Sequence, residues 1–233
     1  MKVLLLTWLL LMTSTVQASC VILLHGLART NSSMTALEKK LVDQGYHVIN
    51  DGYPSRDAPI EELAEIAIAP ALEKCNDYNE INFVTHSLGG ILVRQYLSQN
   101  DIPKLKHVVM LGPPNQGSEV VDKLNKVPGF HFVNGDAGLQ LGTGELSVPN
   151  KLGPANFDVG IIAGTQSINL ILSTFIPGTD DGKISIESTK LKGMNDHIEM
   201  ATSHPFMMKN EEVLKQVTYY LSNGKFAQQH SPY

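Results

Sequence analysis

Val84-Thr85-His86-Ser87-Leu88-Gly89-Gly90 carries the strongest signal in the chain. It joins an apolar run, Ile81 to Thr85, to a helical pattern from Gly89 to about Gln99. A serine set where a buried strand turns sharply into a helix holds its hydroxyl out at the carboxyl edge of a sheet, with a helix N-terminus behind it. The backbone there passes through a strained turn, so the neighbours must be small, and Gly89 and Gly90 meet that need. In the G-x-S-x-G pattern the first position is Thr85 rather than glycine, which adds bulk beside the turn. Alone, the stretch also fits a serine capping an ordinary helix.

Outward from this turn, strand and helix patterns alternate. Cys20 to Leu24 is a continuous apolar run that ends at His25-Gly26, as a fully buried strand does. Asn31 or Ser32 opens a helix with Met34, Leu37, Leu41 and Val42 on one face, stopped by Gly45. Tyr46 to Ile49 reads as a second strand, and Pro59 or Ile60 to Lys74 as a helix that Pro70 should kink or split. Ile81 to Thr85 is the third strand, His107 to Leu111 the fourth and Phe157 to Ala163 the fifth. A weaker sixth lies near His197 to Ala201, before a closing helix from Lys209 to Ser222. Gly112 to Asn156 reads as mostly loop, with one short helix around residues 118–126. The alternation predicts an α/β fold, a mostly parallel sheet of about six strands with helices on both faces.

The 233 residues, 42% hydrophobic and 18% charged, can bury one sizeable core and do not have the composition of a disordered chain. A net charge of −5, from 18 Lys+Arg against 23 Asp+Glu, supplies no basic face, so nucleic acid is not an expected partner. Two cysteines exclude a disulfide-dense scaffold, and no CxxC pair suggests zinc. At the N-terminus Lys2, the apolar run Val3 to Met12 and the small-residue site Val16-Gln17-Ala18 read as a signal peptide over residues 1–18. Residues 19–233 are then one mature domain in the periplasm or outside the cell.

A serine nucleophile needs N–H donors for the oxyanion, a base, and an acid to orient the base. The donors expected are the backbone N–H of Leu88, after the serine, and that of Leu27, in the loop after His25-Gly26. Of eight histidines, His25 and His86 belong to those loops, His47 and His107 to strands, His131 to the long loop and His230 to the tail. His197 starts the sixth strand, away from the edge, whereas His204 follows that strand, where a loop can bring it over the sheet. His204 is the expected base. The acid lies in Gly178-Thr179-Asp180-Asp181-Gly182, with Asp181 better placed and Asp180 the alternative. Either also fits a surface Asx turn. A metal hydrolase is disfavoured, because His197 and His204 lack ligand spacing and no HExxH occurs.

The chain resembles the α/β-hydrolase superfamily, in particular small bacterial lipase- and esterase-like members. The likeness rests on His25-Gly26, on His86-Ser87-Leu88-Gly89-Gly90, on Asp181-Gly182, on His204 before a terminal helix, and on the order Ser87, Asp181, His204. Gly112-Pro113-Pro114-Asn115-Gln116-Gly117-Ser118 is similar to the loop after the fourth strand in such lipases, and the likeness spans about residues 20–226. It implies a reduced sheet without the two leading antiparallel strands, no large cap domain and no cofactor or metal. It further implies cleavage of a small-molecule or lipid ester through an acyl-enzyme on Ser87, with room for transient contact with a membrane surface. Gly117 to Gly153 is the candidate lid or fixed pocket wall. In such a fold the strands near Cys20 and Cys75 are neighbours, which implies a Cys20–Cys75 disulfide away from catalysis. Acyltransferase, thioesterase or amidase chemistry by the same triad is the alternative, and beyond enzymes a binding protein on the same fold.

Overall fold

The computed structural model describes residues 19–227, so the expected signal peptide and His230 lie outside the described residues. The strands are β1 (Cys20–Leu24), β2 (His47–Ile49), β3 (Ile81–His86), β4 (Leu105–Leu111), β5 (Val159–Gly164) and β6 (Asp196–Met200). They form one sheet in the order β2-β1-β3-β4-β5-β6, and every strand pair is parallel. The helices are α1 (Thr35–Val42), α2 (Ile60–Lys74), α3 (Leu88–Leu97), α4 (Glu119–Leu124), α5 (Phe130–Leu139), α6 (Val148–Lys151), α7 (Leu170–Ser173), α8 (Ile186–Thr189) and α9 (Glu211–Asn223).

The central strands β1 and β5 and the carboxyl half of β4 carry no charged residue because both faces are covered there, whereas the edge strand β6 is only half-buried. Val21, Leu23, Val84, Val109 and Ile162 point to one face, where they pack with Leu37 and Leu41 of α1 and Val213, Val217 and Tyr220 of α9. Their neighbours Ile22, Leu24, Phe83, Met110 and Ile161 point to the other, against Leu63, Ala67 and Ile68 of α2 and Ile91 and Leu92 of α3. Right-handed crossovers require this split. The chain moves one way along the sheet from β1 to β2 and the opposite way from β2 to β3 and β4, so α1 falls on one face and α2 and α3 on the other.

Two expectations need correction. Pro70 does not split the second helix, which runs as one element from Ile60 to Lys74. Pro70 and Ile66 both lie on its exposed side, so the carbonyl that loses its N–H partner one turn back can face solvent. The segment 112–156 is less loop-like than expected, since it also contains α5 and α6. Its apolar residues are drawn into the core from outside the regular sheet layers: Ala137, Leu141 and Val148 join the α2–α3 cluster.

Cys20 and Cys75 are joined by a disulfide, with Cα atoms 5.7 Å apart, and both residues are fully buried. It ties the start of β1 to the end of α2.

Gly160 in β5 lies against the ring of Tyr220, where an added Cβ would stand 2.2 Å from Cε2. Tyr220 cannot swing away freely, because it is buried and its hydroxyl donates to Asp158 Oδ1 at 2.9 Å. Gly160→Ala is therefore expected to destabilise the fold by about 1–3 kcal/mol through overpacking. Urea denaturation of the variant beside the parent protein checks this.

Candidate active site

In the sheet order, β1 and β3 are neighbours whose following connections leave in opposite directions. A crevice opens at such a switch point, outside the carboxyl ends of the strands. The register pairs Leu24 with Thr85 and His86 with Leu111, so the loop after β1, the turn after β3 and the loop after β4 meet at one level.

Ser87 sits in the turn between β3 and α3 with φ 52° and ψ −119°. For a residue with a Cβ this costs roughly 1–3 kcal/mol and persists only where the surroundings impose it. Here its N–H donates to the Leu111 carbonyl at 2.9 Å and its carbonyl accepts from Gly90 N at 3.0 Å. Close packing holds the following helix against the sheet, since a Cβ on Gly89 would lie 2.6 Å from the Leu24 carbonyl oxygen. Thr85, the bulkier residue at the first position of the motif, is fully buried and its hydroxyl has no partner. It fits because Gly90 lacks a side chain: a Cβ there would approach Thr85 Oγ1 to 3.3 Å.

Beside Ser87 lies a buried acid–base pair. His204 Nδ1 donates to Asp181 Oδ2 at 2.7 Å, and both residues are almost wholly shielded from solvent. Asp181 Oδ1 accepts from the N–H groups of Lys183 and Ile184 at 3.0 and 2.9 Å, and the Asp181 carbonyl accepts from His204 N at 2.8 Å. The carboxylate is thus locked by three donors and the histidine by two bonds to one residue. Asp180 serves the turn instead, accepting from Ser173 Oγ at 2.7 Å and Gly182 N at 2.6 Å. His197 lies in β6 with Nε2 on Thr189 Oγ1, away from this pair. Ser87 and His204 line the same cavity, and no hydrogen bond joins Ser87 Oγ to the ring. With its Nδ1–H donated in a hydrogen bond to Asp181, the neutral His204 ring carries its lone pair on Nε2.

Two further histidines, read from sequence only as members of loops, brace this centre. His86 Nε2 lies 3.0 Å from the His204 carbonyl, which can only accept, so His86 donates there and Nδ1 is bare. Nδ1 is buried without a partner, and desolvation, followed by the charge of His204, holds the His86 pKa well below the usual imidazole range. His25 donates from Nδ1 to the Gly26 carbonyl at 3.0 Å and accepts from Tyr53 N at 3.3 Å, while its ring stacks on Tyr53 with centroids 4.0 Å apart. Arg29 N donates to the same Gly26 carbonyl. Across a trans peptide the next N–H points opposite to the carbonyl, so these bonds set the direction of the Leu27 N–H. Neither Leu27 N nor Leu88 N donates to another described residue; Leu27 lines the cavity and Leu88 opens α3 behind Ser87.

The far wall comes from the segment after β4: Val120, Val121, Phe130 and Leu141 line the cavity. This wall is bonded to the body. Gln140 accepts from Ile60 N and donates to Glu61, both at the start of α2, and Ser118 N donates to the Leu141 carbonyl. Arg94 of α3 is buried and donates to the carbonyls of Asn115, Pro149 and Gly153 and to the Asn115 side chain. Burial pushes its guanidinium down to about 10. Arg94 carried no signal in the sequence, and Gly112 only as the first residue of the loop after the fourth strand; both show their role through what they touch. Among the described residues no group of three His, Cys, Asp or Glu side chains converges as metal ligands do.

No protein-family model matches the chain, nor does any curated protein sequence. Solved structures do. The mature form of Bacillus licheniformis lipase BlEst2 aligns over 90% of this chain and 93% of its own, with a TM-score of 0.71 at 17% identity. Phospholipase PlaB of Legionella pneumophila aligns over 75% of this chain and 45% of its own, with a TM-score of 0.57 at 20% identity. A thermophilic esterase of Thermogutta terrifontis covers 89% and 91%, with a TM-score of 0.55 at 12% identity. The fold is that of the α/β hydrolases, built among the described residues on six parallel strands without a large cap.

Two outcomes are expected of this geometry. Gly112, at φ 53°, lies under the acid–base pair, where a Cβ would stand 3.0 Å from Asp181 Oδ2 and 3.1 Å from His204 Nδ1. Gly112→Ala should displace the pair and slow reaction of Ser87 with a fluorophosphonate by about tenfold or more, read as labelling rate on protein whose circular dichroism is unchanged. Separately, burial lowers the pKa of His25, His86 and His197 in the folded chain. The unfolded chain then binds more protons, so stability is present above the ordinary histidine pKa and is lost as pH falls below about 6.5, by up to about 1.4 kcal/mol per pH unit for each histidine. Urea titrations at stepped pH should show this fall, with a shallower slope in His86→Gln.

Proposed function

We propose that this chain is an exported serine hydrolase of carboxylic esters. The observation that carries the reading is the buried Asp181–His204 pair opening into the cavity that holds the strained Ser87. In this mechanism His204 Nε2 takes the Ser87 proton as Oγ bonds the carbonyl carbon of the ester. The oxyanion that forms accepts hydrogen bonds from the N–H groups of Leu27 and Leu88. As it collapses, the bond to the alcohol breaks and His204 returns the proton to the leaving oxygen. Water, deprotonated by the same histidine, then releases the acid and frees Ser87. Asp181 holds the ring in the Nδ1–H form throughout and stabilises the imidazolium between the two proton transfers.

A lipid-like ester suits the surroundings. The connections that follow β4 and β5 expose Phe132 at 88%, Leu146 at 81%, Leu170 at 76% and Ile171 at 75%, and Phe206 is exposed two residues beyond His204. These side chains supply apolar area for transient contact with a lipid surface. The similar structures, a lipase, a phospholipase and an esterase, support the same class of reaction. The buried Cys20–Cys75 disulfide supports an oxidising compartment, in keeping with residues 1–18 acting as a signal peptide.

The test is covalent labelling of the protein by a fluorophosphonate. Labelling is expected in the parent protein and lost in Ser87→Ala, and in His204→Ala it should fall by at least about 10³-fold. Hydrolysis of p-nitrophenyl butyrate should follow the same order. Undiminished labelling of Ser87→Ala would sink the reading.

A further inference from the structure

Two cations face the cavity shared by Ser87 and His204: Arg29, in the loop after β1, and Lys183, in the turn that carries Asp181. Lys74, Lys106, Lys190 and Lys215 each pair with a carboxylate on the surface. The side chains of Arg29 and Lys183, like those of Lys39 and Lys123, make no ion pair or hydrogen bond with another described residue; what sets them apart is that they line the cavity of Ser87 and His204. Desolvation lowers the Lys183 ammonium pKa, and the charge of Arg29 lowers it further. Asp181 opposes this from a distance, but its oxygens are taken by His204 Nδ1 and two backbone N–H groups. On its outer side Arg29 also borders a hollow with Arg56 and the carboxylate of Asp57. In a chain of net charge −5, two mutually repelling cations thus converge on the reaction centre.

The rest of the cavity wall is largely apolar, through Leu27, Val120, Val121, Phe130, Leu141 and Ile184. A neutral ester would leave the repulsion of the cations in place. An ester bearing an oxyanion would relieve it, and would meet a planar guanidinium fork and a point charge together. Both cations are exposed at the cavity mouth, so their attraction for an anion falls as salt is raised.

We propose that Arg29 and Lys183 form a subsite for a phosphate or carboxylate carried by the substrate, so that the preferred esters are anionic amphiphiles. The inference rests on the serine-hydrolase reading only for the bond that is cleaved; the binding itself needs no chemistry. It is therefore tested by calorimetry on full-length Ser87→Ala protein with hexyl phosphate, hexyl hemisuccinate and hexanol. At low salt at least one of the two anions is expected to bind about tenfold or more tightly than hexanol, with the preference shrinking as salt is raised. Preference for one anion names its source as phosphate or carboxylate. Arg29→Gln with Lys183→Gln should abolish the preference, and Arg29→Lys with Lys183→Arg, which keeps both charges, should retain it. Anions that bind no tighter than hexanol, or a preference that survives loss of both charges, would overturn the proposal. Failure of fluorophosphonate labelling in the parent protein would instead count against the reaction assigned to Ser87.

Discussion

The left-handed backbone of Ser87 is the constraint around which the rest of the site is arranged. A residue with a Cβ does not adopt that conformation unless its surroundings leave no alternative. Three neighbours impose it: the Leu111 carbonyl takes the Ser87 N–H, Gly90 returns a bond to the Ser87 carbonyl, and α3 is pressed onto the end of β1 at Gly89. The first and the last of these depend on parallel register across β1, β3 and β4, and the second is a bond within the turn. The apolar packing of both sheet faces thereby holds a single hydroxyl in place.

The second organising feature is polar and buried. Asp181, His204 and His86 form a chain in which each proton has an assigned place: Nδ1–H of His204 on the carboxylate, Nε2–H of His86 on the His204 carbonyl. Burial makes a charged form of His86 costly, so it stays a neutral donor and a fixed strut. Arg94 is the complementary case, a buried cation that pairs with no carboxylate among the described residues and is held by four bonds to carbonyl oxygens of the segment after β4. Removing its partners one by one would leave a charge without solvation, so the wall and α3 are coupled.

Much of this architecture was legible from pattern. The unbroken apolar runs marked the buried strands, and the expected β6 and closing helix differ from the observed Asp196–Met200 and Glu211–Asn223 by only one or two residues at each end. Ser87, His204 and Asp181 were named from their places relative to strand ends, and the structure brings these three to one edge of the sheet. Pro70 misled because its effect depends on which side of α2 it occupies. The segment 112–156 misled because its Gly and Pro mask apolar residues whose partners, α2 and α3, are remote in sequence.

The strand–helix alternation, the small residues around Ser87 and the two candidate acids are local properties, because they follow from side-chain periodicity and from backbone conformations a few residues long. The sequence favoured Asp181, the residue before Gly182, and kept Asp180 as the alternative. Adjacent carboxylates in one turn have the same local chemistry, and only the distant backbone of the chain decides that one faces Ser173 and the other His204. The same holds for Gly112, for the bracing by His25 and His86, and for Arg29 with Lys183. These pairs are separated by tens to more than a hundred residues, and their energies depend on distance and burial, which exist only once the sheet has closed.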